Sequence, residues 1–237
     1  EINILQFHRV RCCELINLRN QGKLNIMKKL FLLLFLIPNL VFALPACPKG
    51  DGEVWNECIG EAAWDNGKKY KGEWRKNKIN GQGTMIFPGY WIYKGAFKDG
   101  KLHGEGETKF NDGSRYVGEY KNSLAHGKGT ITTSLYIYEG EWEKGEFHGQ
   151  GTMTLDNVAT YVGKWKGNVK NGKGTMTFAD GGTHIGKWKN GRLIGKVTVT
   201  CPNKKILVGK HKYTDKGPIL VLSDGSVYVF KNKHGSC

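Results

Sequence analysis

From Tyr70 onward, apolar and polar residues alternate with a period of two, in short runs broken by glycine- and asparagine-rich links. Side chains alternate along a strand, so in Tyr138-Glu-Gly-Glu-Trp142 positions 138, 140 and 142 share one face and Glu139 and Glu141 point to water. Gly151-Thr-Met-Thr-Leu155 reads as a second strand, with Thr152 and Thr154 on one side and Met153 and Leu155 on the other. Glu143 to His148 between them read as the turn. Links such as Asp112-Gly113 and Asp180-Gly181 close one hairpin onto the next. Between its two aromatics, Gly140 leaves a hole that an aromatic from a neighbouring unit can fill.

The same unit recurs. Tyr70-Lys-Gly72-Glu-Trp74, Tyr93-Lys-Gly95-Ala-Phe97, Tyr116-Val-Gly118-Glu-Tyr120, Tyr138-Glu-Gly140-Glu-Trp142, Tyr161-Val-Gly163-Lys-Trp165 and His184-Ile-Gly186-Lys-Trp188 follow one another at steps of 23, 23, 22, 23 and 23 residues. A degenerate seventh, Leu207-Val-Gly209-Lys-His211, lies another 23 residues on. A second signature trails five of them: Asn80-Gly-Gln-Gly83, His103-Gly-Glu-Gly106, His126-Gly-Lys-Gly129, His148-Gly-Gln-Gly151 and Asn171-Gly-Lys-Gly174. Periodicity of this length means an array. A lone hairpin is marginal in water, so stability must come from stacking units side by side. The expected fold is all-β: an elongated single-layer antiparallel sheet of tandem β-hairpins. Two strands per unit at ~4.8 Å give ~10 Å per repeat and ~60 Å for six. Composition agrees: 34 glycines and 27 aromatics in 237 residues, with only 39% apolar residues, suit an ordered array with a thin core.

Tyr-x-Gly-x-Trp followed by His-Gly-x-Gly at this spacing resembles the MORN (membrane occupation and recognition nexus) repeat family, over about residues 65–214. The resemblance implies a sheet of hairpins and, as partners, acidic phospholipid or protein. Some arrays of that family adjoin a lipid kinase or lysine methyltransferase domain. Here the array takes up the chain, so the resemblance implies a scaffold and no enzyme, with no cofactor and no metal.

The ends carry other signals. Met27-Lys-Lys followed by the apolar run Leu30 to Ile37 and by Val41-Phe-Ala43 reads as a cleaved signal peptide over 27–43, with residues 1–26 as an upstream extension outside the mature protein. The 15 residues from Leu30 to Leu44 are too few for the ~20 that span a bilayer. Leu44-Pro-Ala-Cys47 also resembles a lipoprotein signal, in which Cys47 would be acylated. The expected location is the periplasm or cell surface. Cys47, Cys58, Cys201 and Cys237 remain after cleavage, and four cysteines allow three pairings. An exported chain keeps disulfides, and Cys47–Cys58 and Cys201–Cys237 would each staple one end. Residues 44–64 would then cap one edge of the array. Residues 215–237, with Ser223-Asp-Gly-Ser226 as a hairpin turn, would cap the other.

Catalytic signals fail one by one. His103, His126 and His148 occupy equivalent positions roughly 10 Å apart, too far to share a zinc ion that holds ligands at ~2.0–2.1 Å; they alternate with Asn80 and Asn171 and read as structural turn residues. Gly167 to Gly174 nearly spells a phosphate-binding loop but lacks its final Ser or Thr. There is no Gly-x-Ser-x-Gly, and no pair of carboxylates stands apart from the repeat.

Charge changes the picture most. Residues 44–160 hold 15 basic and 16 acidic side chains, whereas 161–237 hold 15 basic and 3 acidic. The position before the second aromatic records the switch: Glu73, Ala96, Glu119 and Glu141, then Lys164, Lys187 and Lys210. These three lysines should form a row on one face. Lys166 and Lys189 follow the tryptophans of their units, and Lys173 lies beside the turn. The expected role of Lys164, Lys166, Lys187, Lys189 and Lys210 is to bind anionic phospholipid or an envelope polymer; the alternative is an assembly module pairing through sheet edges or the aromatic face without lipid. No basic segment is interleaved with free stacking aromatics, and nucleic acid is not expected.

Overall fold

The computed structural model describes residues 43–50, 52–215 and 217–230. The chain divides between Ala43 and Leu44, and the sheet lies in the second part. The upstream extension, nearly all of the expected signal peptide, and Cys237 fall outside the described residues.

Among the described residues, sixteen strands form one antiparallel sheet in chain order. They are β1 (Cys58–Ala63), β2 (Lys69–Arg75), β3 (Lys78–Phe87), β4 (Trp91–Lys98), β5 (Lys101–Phe110), β6 (Arg115–Lys121), β7 (Leu124–Thr132) and β8 (Tyr136–Glu143), then β9 (Glu146–Leu155), β10 (Ala159–Lys166), β11 (Val169–Phe178), β12 (Thr183–Lys189), β13 (Arg192–Thr200), β14 (Ile206–Thr214), β15 (Gly217–Leu222) and β16 (Val227–Val229). Each repeat is one hairpin. Its tight turn is shorter than Glu143 to His148: only Lys144-Gly145 separates β8 from β9, both with positive φ (53° and 84°). Such turns match the twist of paired strands and favour Asn, Asp and Gly. Asp99-Gly100 and Asn190-Gly191 repeat the arrangement. Turns also tie units together: the Gly145 amide donates to Ala125 O (2.8 Å) and the Gly100 amide to Ile79 O (2.8 Å).

His103, His126 and His148 are not turn residues. They lie inside β5, β7 and β9, next to a β-bulge. In the β8–β9 pair, Gly140 faces Gly151 and Glu141 faces His148, leaving Gly149 and Gln150 as extra residues. Gly149 takes a φ of 52°, a conformation that favours glycine. This is why the first glycine of His-Gly-x-Gly recurs.

The second glycine recurs for another reason. Glycines pair across every strand from β1 to β12: Gly60, Gly72, Gly83, Gly95, Gly106, Gly118, Gly129, Gly140, Gly151, Gly163, Gly174 and Gly186 form one transverse ladder. In the five units that begin at Tyr70, Tyr93, Tyr116, Tyr138 and Tyr161, the hole above the glycine pair is filled by the tyrosine of the same unit, not by an aromatic from the next one. A Cβ on Gly151 would lie 2.5 Å from the Tyr138 oxygen. The tyrosine leans along its strand, and its hydroxyl donates to the carbonyl three residues on: Tyr138 to Glu141 O (2.9 Å), Tyr93 to Ala96 O (2.8 Å), Tyr161 to Lys164 O (3.1 Å).

Neighbouring units meet edge-on. Tyr116 packs perpendicular to Trp142 (centroids 5.0 Å), Tyr138 to Trp165 (5.4 Å) and Tyr161 to Trp188 (5.3 Å). Edge-to-face aromatic pairs contribute about 0.5–1.5 kcal/mol beyond the area they bury. Trp142 Nε1 donates back to Gly129 O (3.0 Å), and Trp165 and Trp188 repeat the bond to Gly151 and Gly174. Tyr70, Tyr93, Tyr138 and Tyr161 are at most 1% exposed, although the sheet is a single layer.

Both ends depart from the repeat. Cys47 is bonded to Cys58 (S–S 2.08 Å), and Trp55 packs on Trp74 at 4.8 Å. The outer edge of β1 is occupied at Ile59, whose amide donates to Pro45 O (2.7 Å) and whose carbonyl accepts from the Cys47 amide (2.8 Å). The sulfur of Cys47 is thus taken up by Cys58, and acylation at that sulfur and this disulfide exclude each other. Cys201 is also disulfide-bonded; Cys237, its expected partner, lies outside the described residues. At the far end β15 and β16 make a hairpin in which Asp224 Oδ1 accepts from the Ser226 amide (2.9 Å) and hydroxyl (2.6 Å).

Candidate functional site

The face opposite the aromatics is open. Lys164, Lys187 and Lys210 stand on it in β10, β12 and β14, one strand apart from each other, and all are exposed. The intervening strands supply two more. Lys173 in β11 is directly opposite Lys187, and Lys196 in β13 is directly opposite Lys210. Lys164 stands beside Lys173: a Cβ on Gly172 would come within 3.0 Å of the Lys164 side chain. Five consecutive strands therefore carry five lysines in one transverse row. Lys173 does not lie beside a turn; it is inside β11.

The same row in the N-terminal half reads differently. It runs through Glu73, Gln82, Ala96, Glu105, Glu119, Lys128, Glu141 and Gln150 before reaching Lys164. Two of its glutamates serve the fold. Glu119 Oε1 accepts from the Lys128 amide (2.8 Å) and Glu141 Oε1 from the Gln150 amide (2.9 Å), each satisfying a backbone N–H freed by a bulge. Lysine at 164 and 187 has no acceptor to offer there, so the C-terminal units give up that support. Like charges directly opposite across an antiparallel pair are also destabilising. Among the described residues none of the five lysines makes an ion pair. Exposed ion pairs elsewhere, such as Lys71–Glu61 (2.7 Å) and Arg115–Glu107 (2.7 Å), belong to the N-terminal half, where they hold Glu61 and Glu107 below the usual carboxylate range.

Beside the lysine row runs an apolar one. Val162, Thr175, Ile185, Thr198 and Val208 are register partners strand after strand, and Val162, Ile185 and Val208 are 52%, 48% and 41% exposed. The first two units hold Lys71 and Lys94 at that position. The C-terminal open face thus joins a cationic stripe to a β-branched one.

Lys166 and Lys189 sit apart, at the last residues of β10 and β12, next to the hairpin turns. Their position is also basic in Arg75, Lys98 and Lys121, so it does not distinguish the C-terminal half. The repeat residues Tyr70 to Trp188 stand on the opposite, aromatic face. Burial pushes the hydroxyls of Tyr120 and Tyr161 up to about 12, and those of Tyr70, Tyr93, Tyr116 and Tyr138 higher still. These are the hydroxyls of a packed core.

Compared with curated proteins, the sequence finds no match. Among solved structures it is similar to the TCP domain of SAS-4 (dCPAP) of Drosophila melanogaster, solved in complex with a proline-rich motif of Ana2 (dSTIL). The two are 13% identical over 73% of this chain and 90% of that chain, with a TM-score of 0.37. The family described as MORN repeat matches residues 70–91, 93–115, 116–134, 138–157 and 161–183. The unit at His184 and the degenerate seventh fall beyond these matches, although β12 to β15 continue the same hairpin pairing. Repeats of this kind indicate a scaffold or binding module and are often surfaces for protein or membrane lipid. Between residues 70 and 183, then, five consecutive segments of the chain match the MORN repeat.

Proposed function

We propose that this chain is a non-enzymatic repeat scaffold of the cell envelope, exported through the segment at 27–43, that docks the open face of β10–β14 onto acidic phospholipid. One observation carries the reading: five lysines on five consecutive strands, without ion pairs among the described residues and at the expense of bulge hydrogen bonds that glutamate supplies elsewhere. Near an anionic membrane surface each basic residue contributes ~1 kcal/mol, so the row is worth ~5 kcal/mol. The adjoining Val162, Ile185 and Val208 favour a lipid interface over a fully hydrated wall polymer, since they offer apolar area to the headgroup boundary.

The assembly alternative has less support. The β1 edge is partly occupied by Pro45 to Cys47, and the aromatic face is filled by its own ladder. The β1 edge and the aromatic ladder from Tyr70 to Trp188 are thereby narrowed as routes to self-pairing.

Sedimentation with vesicles tests the proposal. The protein should pellet with vesicles rich in acidic phospholipid and stay in solution with zwitterionic ones. Reversal of the row (Lys164→Glu, Lys187→Glu, Lys210→Glu) should abolish pelleting while the far-UV circular dichroism is kept. A polyglycerol phosphate chain, offered in parallel, separates the sources of phosphate: binding to the polymer alone would replace lipid by wall polymer. Absence of binding to both in low salt would end the reading.

A further inference from the structure

Three polar residues that break the repeat on its aromatic side line one cavity. Lys170 occupies the position held by Ile79, Leu102, Ala125, Phe147 and Leu193 in the other units. His184 replaces the tyrosine of Tyr70, Tyr93, Tyr116, Tyr138 and Tyr161, and His211 replaces the second aromatic of the six preceding units. In a regular unit these three places hold a hydrocarbon, a phenol and an aromatic ring; here they hold an amine and two imidazoles. The cavity they line measures about 300 Å³ and is otherwise walled by apolar side chains, among them Met176, Phe178 and Trp188.

Two of these polar groups are poorly served by the protein. The Lys170 ammonium stands over the Trp188 ring (4.8 Å) and the Tyr161 ring (5.4 Å), and no carboxylate pairs with it among the described residues. Burial holds its pKa below the ordinary lysine value, and that of His211 below the ordinary histidine value. His211 is 7% exposed, and its Nδ1 has no hydrogen-bond partner among the described residues. A buried polar atom left without a partner is unfavourable, and a half-buried cation with no carboxylate gives up hydration that rings repay only in part. Replacing Lys170 by the leucine found at 102 and 193 would remove the charge and restore the hydrocarbon of the repeat. The chain instead keeps an amine where its own repeat calls for hydrocarbon.

We infer that this cavity is a binding site for a small monocarboxylate with an aromatic or branched apolar body, its carboxylate paired with Lys170 and its body lying between Met176, Phe178 and Trp188. The volume is at the lower end of small-molecule sites, which are mostly apolar with a few convergent polar groups. One cation suits one negative charge; a phosphomonoester would bring a second with nothing to meet it. A charge-assisted hydrogen bond to the amine is the strong kind, and the His211 imidazole adds a partner beside it. The site lies on the face opposite the lysine row and does not depend on the docking reading.

Titration with phenylacetate, followed by the Trp188 indole N–H signal in NMR, tests the assignment. Phenylacetate should shift that signal saturably, and the uncharged phenylacetamide should bind at least about tenfold more weakly. Lys170→Leu, which restores the repeat and should fold at least as well, should lose phenylacetate binding by at least about tenfold; Lys170→Arg should retain it. Equal binding of acid and amide, equal binding by Lys170→Leu, or no shift of the Trp188 signal in the wild type up to about 10 mM would overturn the site.

Discussion

The ring of Tyr138 lies over Gly151, where a Cβ would stand 2.5 Å from its oxygen. The glycine makes room for the ring, and the ring fills what the glycine leaves. The sixth unit fills the same space in other terms. Val197 stands where Gly151 does, His184 where Tyr138 does, and the space above Gly186 is taken by Val197 and Leu193.

Gly151→Ala should therefore destabilise the sheet by about 1–3 kcal/mol, the usual result of overpacking a filled site. Gly145→Ala probes the tight turn instead, where the cost is backbone strain at positive φ and no side chain is crowded. Urea unfolding followed by tryptophan fluorescence measures both. Combining Gly151→Ala with Tyr138→Phe should not add fully, because the two residues share one space.

Alkali should unfold the array and ionise its tyrosines together. Their hydroxyls are raised by burial, so the stability they bring is fully present below the ordinary phenol value of 10.0 and is lost as pH rises through the higher folded values. The tyrosine absorbance near 295 nm and the far-UV circular dichroism should change over the same pH interval, above about pH 10. Tyrosine ionisation complete while the strand signal persists would show that these hydroxyls are open to water.

Acid should loosen the C-terminal half first. Burial depresses the pKa of His211, so its share of stability is present above the ordinary value of 6.5 and is lost as pH falls through the lower folded one. Lys170, on the same cavity and depressed by the same cause, has the same sign, but its loss begins as pH falls below the ordinary lysine value of 10.5 and is separate from this transition; His184 and Tyr213 also border the space. Tm should drop between about pH 7 and pH 5. His211→Phe, which returns the aromatic of the earlier units, should flatten that drop. An unchanged pH profile in the variant would remove His211 as its cause.

Lys187→Glu should stabilise the protein while weakening its hold on anions. It relieves the opposed pair Lys173–Lys187 and puts back the carboxylate that Glu119 and Glu141 place on a bulge. The gain should be about 0.2–1 kcal/mol for the cross-strand pair. Thermal melts and vesicle sedimentation on one preparation read both effects. A variant that is less stable and binds as before would contradict the trade.

The repeat, the hairpins and the aromatic face are legible from spacing, because alternation and a 23-residue period survive in the sequence whatever the packing. Three features are not. The direction in which Tyr138 leans is absent from an alternation pattern, so spacing alone assigns the hole above Gly140 to a neighbour's ring. His148 reads as a turn residue because a positive-φ glycine marks a bulge as readily as a turn. Lys173 and Lys196 escape the row because the bulge adds residues to the second strand of each hairpin, and register across it cannot be counted from sequence alone. Lys170 needs no structure to be noticed. Set against Ile79, Leu102, Ala125 and Phe147, it stands out as a charge at an apolar place.

The most direct test of the lysine row uses the two members that only the register reveals. Vesicle affinity of Lys173→Gln with Lys196→Gln, measured against wild type and against a control pair from the N-terminal half, Lys71→Gln with Lys94→Gln, isolates the face that binds. Loss of two row lysines should cost ~2 kcal/mol, roughly thirtyfold in affinity, with a shallower dependence on salt, and the control should bind nearly as wild type. Equal losses in both pairs would mean that charge anywhere on the sheet suffices, and that β10–β14 is not a docking face.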